Sequence, residues 1–117
     1  MGMLTELIRA GDLEVRPQEG MALARGRVLC LSVREFALLT ALARRHGLVV
    51  SRADLYDAVW GGALREDDRS VDVYVRKLRA KLERVMPEQS FIHTHFGFGY
   101  RLAEEPVTGI DGRPRYD

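Results

Sequence analysis

The sequence predicts an α+β domain: an N-terminal antiparallel β-sheet, then three helices, then a C-terminal β-hairpin. Three observations carry that prediction. The first thirty residues fall into short runs separated by turn residues. Three later segments place apolar residues at helical spacing, the first two behind a serine cap. The stretch "HTHFGFGYRL" (93–102) then brackets Gly97-Phe98-Gly99 with strand-like residues. A chain of 117 residues suits one domain, expected over 1–102, with 103–117 as a flexible tail rich in Pro, Gly and charge.

In order along the chain, Leu13-Glu14-Val15-Arg16 alternates apolar and charged residues until Pro17-Gln18-Glu19-Gly20 interrupts it. Met21-Ala22-Leu23-Ala24 resumes the strand pattern, Arg25-Gly26 turns, and Arg27 to Leu31 runs on. Ser32-Val33-Arg34-Glu35 is a capping box: the serine hydroxyl and the glutamate carboxylate would satisfy first-turn N–H groups. Phe36, Leu39, Leu42 and Ala43 follow at helical spacing. Arg44, Arg45 and His46 suit the negative end of the helix dipole, and Gly47 is expected to stop the helix. Ser51 caps a second helix carrying Leu55 and Val59, with Trp60 expected in the core and Gly61-Gly62 ending it. Residues 63–68 have no apolar period and form a loop. Val71, Val75, Leu78, Leu82 and Val85 then step four, three, four, three along a third helix that Pro87 ends. Phe91 to His95 and Tyr100 to Ala103 are two strands around the glycines.

Charge is unevenly distributed. The net charge is +1, yet residues 69–84 hold six cations against two carboxylates, whereas residues 1–20 and 103–117 are each net negative. Such concentration points to an anionic partner, although a charge run is often only a solvated face. With 46% hydrophobic and 30% charged residues the chain is not a disordered polymer, and a single cysteine, Cys30, excludes an intramolecular disulfide and a multi-cysteine metal cage. It fits a reducing, cytoplasmic setting. No apolar stretch reaches the ~20 residues of a membrane span, so no membrane partner is expected.

On the third helix the surface opposite the apolar stripe gathers Arg69, Val73, Arg76, Lys77 and Ala80. A helix that is apolar on one side and basic on the other suits a DNA major groove, and a hairpin directly after it can reach the adjacent minor groove or backbone. That is the winged helix-turn-helix plan. The segments "LSVREFALL" (31–39), "VVSRADLYDAVWG" (49–61), "RSVDVYVRKLRAKL" (69–82) and "IHTHFGFGYRL" (92–102) resemble, in order and spacing, the DNA-binding effector domain of OmpR/PhoB-type response regulators. The resemblance covers roughly residues 8 to 102. It implies a four-stranded N-terminal sheet and binding to direct-repeat promoter DNA as a tandem homodimer. It also implies a loop, here including Gly62, Leu64, Arg65, Glu66 and Asp67, that touches RNA polymerase. No cofactor is implied. A phosphorylatable receiver domain precedes this domain in the family, and none fits in 117 residues. The chain is therefore expected to be an effector domain cut from a longer protein or a stand-alone regulator.

By position, Val73 would meet a thymine methyl and Lys77 a guanine edge, while Arg69, Ser70, Tyr74, Arg76 and Arg79 would hold phosphates. Thr94 and Tyr100 match wing positions that contact the backbone, and Phe96 and Arg101 are placed at the wing tip. The sequence departs from the family at two of these places. Phe96 stands where an arginine usually precedes the first wing glycine, and Lys77 offers a point charge where many relatives carry a forked arginine. Other chemistries are weaker. His93-x-His95 gives only two potential metal ligands, and Ser32, Ser51, Ser70 and Ser90 lack a nucleophile elbow. Gly97-Phe98-Gly99-Tyr100 echoes an RNA-stacking strand without the strand–helix alternation such a module needs. No helix opens behind the glycines to bind a phosphate. A winged helix serving mainly as a protein-interaction module is the remaining alternative.

Overall fold

The computed structural model describes residues 5–107. Strands β1 (Ile8–Ala10), β2 (Leu13–Arg16), β3 (Met21–Ala24) and β4 (Arg27–Val28) form an antiparallel meander in the order β1-β2-β3-β4. Alternation decides which face is covered. Leu13 and Val15 point into the core opposite Ala24 and Ala22, while Glu14 and Arg16 stay on the outer face, where they pair with each other. The β3–β4 turn puts Arg25 and Gly26 at positive φ, 52° and 82°, the pairing that matches strand twist in a two-residue hairpin. The fourth strand is shorter than expected, stopping at Val28 rather than running to Leu31. β1 pairs Ile8 with Val15 although its three residues are too few to show a period.

Helix α1 (Val33–Ala43) is the centre of the domain, packed on β1, β2, α2 (Arg52–Trp60), α3 (Ser70–Val85) and the last strand. Its capping box is complete: Glu35 N–H donates to Ser32 Oγ at 3.2 Å, and Ser32 N–H donates to Glu35 Oε1 at 2.8 Å. The α-helix ends at Ala43, four residues before Gly47, and Arg44, Arg45 and His46 lie in the turn that follows. Those three side chains serve as tethers, to Glu6, Asp54 and Glu104 respectively. α2 starts as expected, with Asp54 N–H donating to Ser51 Oγ. On α3 the stripe Val71, Val75, Leu78 and Leu82 is buried, with Val85 packed at its edge.

The C-terminal hairpin is part of a larger sheet. β6 (Gln89–His95) and β7 (Gly99–Pro106) pair antiparallel, and β5 (Val49–Val50) adds to the other edge of β7, giving the order β5-β7-β6. β5, within the Leu48-Val49-Val50 stretch, inserts between α1 and α2 and ties the helical half to the hairpin. β7 continues to Pro106, three residues past the expected Ala103 limit, because Glu105 and Pro106 pair with Ser90 and Gln89. The strand thus takes the first residues of the expected tail; residues 108–117 lie outside the described residues.

Gly99 holds a position no other residue fits. Its φ is +148°, and a Cβ there would lie 2.0 Å from the Val50 carbonyl oxygen and 2.8 Å from its carbon. The obstruction is backbone of β5, so no side-chain rotation relieves it. Gly99→Ala is therefore expected to destabilise the domain by at least about 2–4 kcal/mol, read as a lower urea midpoint. An unchanged midpoint would show that β5 and β7 separate at little cost.

Candidate nucleic-acid interface

α3 presents the two faces its sequence promised. Opposite the buried stripe, Val73 is 45% exposed, and Arg76 and Lys77 are exposed beside it. The basic residues of this segment do not share one role. Lys81 Nζ donates to Glu35 Oε1 at 2.6 Å and to the Cys30 carbonyl at 2.9 Å, so the α1 capping box absorbs its charge. Burial acts to raise the Glu35 pKa, but the hydrogen bonds from Lys81 and Ser32 outweigh it and hold the carboxyl below its usual range. Arg79 Nε and Nη2 donate to the Ile92 carbonyl at 3.0 and 2.8 Å, and Nη2 also donates to Thr94 Oγ1 at 2.7 Å. Arg69 is 75% exposed, with its guanidinium 3.6 Å from Asp72. Arg76 and Lys77 have no carboxylate within salt-bridge distance among the described residues. Lys77 Nζ rests 4.6 Å from the centre of the Tyr74 ring.

Trp60, expected in the core, is half-buried at the edge of this face. It stacks on Tyr56 with ring centres 5.2 Å apart and meets Tyr74 edge-on at 5.3 Å, and the Arg34 guanidinium lies 5.5 Å from its ring. The aromatic row fixes Tyr74 and, through it, the resting place of Lys77. Arg34, which follows the α1 cap, was not singled out from the sequence. Its exposed guanidinium adds a cation to this face that helical spacing within α3 could not reveal.

Two anchors hold the hairpin against α3. One is the Arg79 fork just described. The other is a junction at Asp72 in the first turn of α3. Arg52 Nη2 and Nε donate to the Asp72 carboxylate at 2.8 and 3.1 Å, Arg52 Nη2 also donates to the Asp68 carbonyl at 2.9 Å, and the Tyr100 hydroxyl donates to Asp72 Oδ1. Burial works to raise the Asp72 pKa, yet the Tyr100 and Arg52 hydrogen bonds and the charges of Arg52 and Arg69 hold it below the ordinary aspartate value. Burial, together with the Asp72 bond and charge, pushes the Tyr100 phenol up to about 12.

These anchors relocate several expected contacts. Tyr100 is only 8% exposed and its hydroxyl is committed to Asp72, so it stands at the helix–hairpin junction rather than on a phosphate-facing surface. Arg79 and Thr94 bond to each other across the same junction. Arg101 is not at the wing tip: on the central strand it pairs with Val49 and His93, and its guanidinium donates to His95 Nε2 at 2.9 Å and to Glu105 at 3.3 Å. Phe96 does occupy the tip, 80% exposed, and Phe98, expected only as a turn residue, is exposed beside it at 76%. Ser70 opens α3, with its N–H donating to Asp68 Oδ1 at 2.8 Å. Gly62, Arg65, Glu66 and Asp67 are exposed, whereas Leu64 turns into a cleft of about 570 Å³ under the wing tip, shared with Arg52, Arg69 and Asp72. The two histidines do different work: the His93 ring lies 2.7 Å from the Ala103 carbonyl and is buried, while His95 Nε2 accepts from Arg101. Among the described residues no three His, Cys, Asp or Glu side chains gather as metal ligands, and no helix is long and apolar enough to cross a membrane.

A carboxyl held below its unfolded pKa adds stability that is present in full above the unfolded value and is lost as pH falls through the folded one. Asp72→Asn is therefore expected to cost about 1–2 kcal/mol at pH 7, with its gap from the parent protein closing below about pH 4. Urea titrations across that range check the sign, and a gap independent of pH would remove the ionised carboxylate from the junction.

The family of transcriptional regulatory proteins described by their C-terminal region matches residues 26–102. The transcriptional regulatory protein TcrA of Mycobacterium tuberculosis is 40% identical over 98 residues, covering 84% of this chain and 38% of TcrA. The chain thus spans about two-fifths of the length of the curated relatives it matches. The DNA-binding domain of CpxR from E. coli superposes with a TM-score of 0.77 at 31% identity, over 85% of this chain and 97% of that one. The DNA-binding domain of Klebsiella pneumoniae RstA, solved in complex with the RstA box, gives 0.75 at 32% identity, over 84% and 97%. With the capped α1, the two-faced α3 and the clamped wing in place, the chain belongs to the transcriptional regulatory C-terminal family, the winged-helix effector domains of OmpR/PhoB-type response regulators.

Proposed function

We propose that this domain binds double-stranded promoter DNA sequence-specifically and acts in transcriptional regulation by binding, without catalysis, in the bacterial cytoplasm. The observation that carries the proposal is the pairing of Arg76 and Lys77, exposed and, among the described residues, without carboxylate partners on the face of α3 opposite its buried stripe. The DNA complex of the RstA domain supports it. In this reading α3 lies in the major groove, with Val73 against a thymine methyl and Lys77 reaching a guanine edge. Arg76, Arg69, Ser70 and Tyr74 sit at flanking phosphates, which place the helix without reading sequence. Arg79, Thr94 and Tyr100 support the wing from within. Two copies bind direct repeats in tandem, the exposed 62–67 loop faces RNA polymerase, and a receiver domain joined to this one sets occupancy through phosphorylation.

Selection from genomic DNA with the purified chain, at two salt concentrations, tests the proposal. A repeated half-site should emerge, with log affinity falling linearly in log salt by about 0.9 per phosphate neutralised; a flat salt response would overturn DNA binding. On that half-site Lys77→Ala should cost ~1–3 kcal/mol and relax one base position. Arg76→Ala should weaken all sequences alike and flatten the salt slope by about 0.9. A uniform loss from Lys77→Ala, or a base-selective loss from Arg76→Ala, would exchange their roles.

A further inference from the structure

Phe96 and Phe98 are large apolar side chains left 80% and 76% exposed on either side of Gly97. The platform beneath them is rigid. The Phe98 N–H donates to the His95 carbonyl at 2.9 Å, closing the turn, and His95 pairs with Gly99, whose backbone is wedged against Val50. The Arg79 fork and the Tyr100–Asp72 bond then fix the hairpin relative to α3. The pair is therefore presented at a set distance from the groove-facing stripe, with little ordering left to do on binding.

The tip is also uncharged. Residues 96–99 carry no ionisable side chain, and His95 Nε2 accepts a hydrogen bond from Arg101 Nε at 2.9 Å. Of the two arginines in the cleft beneath the tip, Arg52 is held by Asp72 and Asp68, while Arg69, 3.6 Å from Asp72 at the start of α3, keeps its side chain 75% exposed. Arg69 lines the same cleft as Phe96 and Phe98, so a cation and the aromatic rings border one surface.

We infer that Phe96 and Phe98 form an apolar wedge that enters the minor groove beside the α3 site, at a deformable pyrimidine–purine step. The inference rests on the DNA-binding reading above. Narrow A-tract grooves attract cations by their potential, which an uncharged tip cannot use. Aromatic side chains instead favour steps that unstack and open easily, where they meet sugar and base edges. The continuity of the tip with Arg69 and α3 selects the same duplex as its occupant, in preference to a separate protein.

The test uses duplexes that share the selected half-site and differ only in the wing-side flank: a TA step, an A-tract, or a truncated end. The parent protein should bind the TA flank about tenfold more tightly than the other two, and 2-aminopurine at that step should brighten on binding. Phe96→Ala with Phe98→Ala should erase the preference, leaving the salt slope and the thermal midpoint unchanged. Phe96→Arg should transfer the preference to the A-tract and steepen the slope by about 0.9. Equal affinity of the parent protein for all three flanks, matched by the double variant, would overturn the wedge and assign the tip to a protein partner while leaving DNA binding intact. Failure of the parent protein to bind any duplex would overturn both.

Discussion

The arrangement of this domain depends on the carboxylate of Asp72. It lies in the first turn of α3, where a negative charge also favours the helix dipole, and it receives Arg52 from the start of α2 and the Tyr100 hydroxyl from β7. One side chain thereby joins the helix-turn-helix pair to the hairpin. The Arg79 fork on Ile92 and Thr94 holds the same two elements further along α3. Two contacts along a helix fix both the position and the tilt of a hairpin, which a single contact would leave free to pivot.

Those anchors use up side chains that would otherwise face a ligand. Lys81 completes the α1 cap, Arg79 and Tyr100 secure the wing, and Arg101 bridges His95 and Glu105 within the sheet. The outward charge of the segment is carried chiefly by Arg76 and Lys77, with Arg69 at one end and Arg84 at the other. Hydrogen-bonded placement, rather than the number of arginines, sets how much of a basic run can meet an anion. The Tyr56–Trp60–Tyr74 row adds a second constraint by fixing the surface on which Lys77 rests.

Much of this was legible in advance because it follows from local rules. The Ser32–Glu35 capping box needs residues only three apart, and the α3 stripe repeats through four turns, so both survive any tertiary context. β5 was not legible, since two residues show no period and their pairing partner lies some fifty positions away in β7. Gly99 was expected only to make a turn; its close approach to Val50 depends on where that strand lands. Arg101 was placed at the tip by proximity in sequence to Phe96, but a hairpin carries residues away from its tip at about 3.3 Å each.

By itself, then, the sequence determined the element order, the two faces of α3 and the apolar wing tip, because periodicity, caps and turns act between near neighbours. Only the tertiary structure decided which charges remain outside. An arginine on a basic stripe looks the same whether it faces solvent or a backbone carbonyl from a distant strand. Arg76 and Arg79 are three residues apart on one helix; β6 packs beside the second and takes its guanidinium, leaving the first exposed.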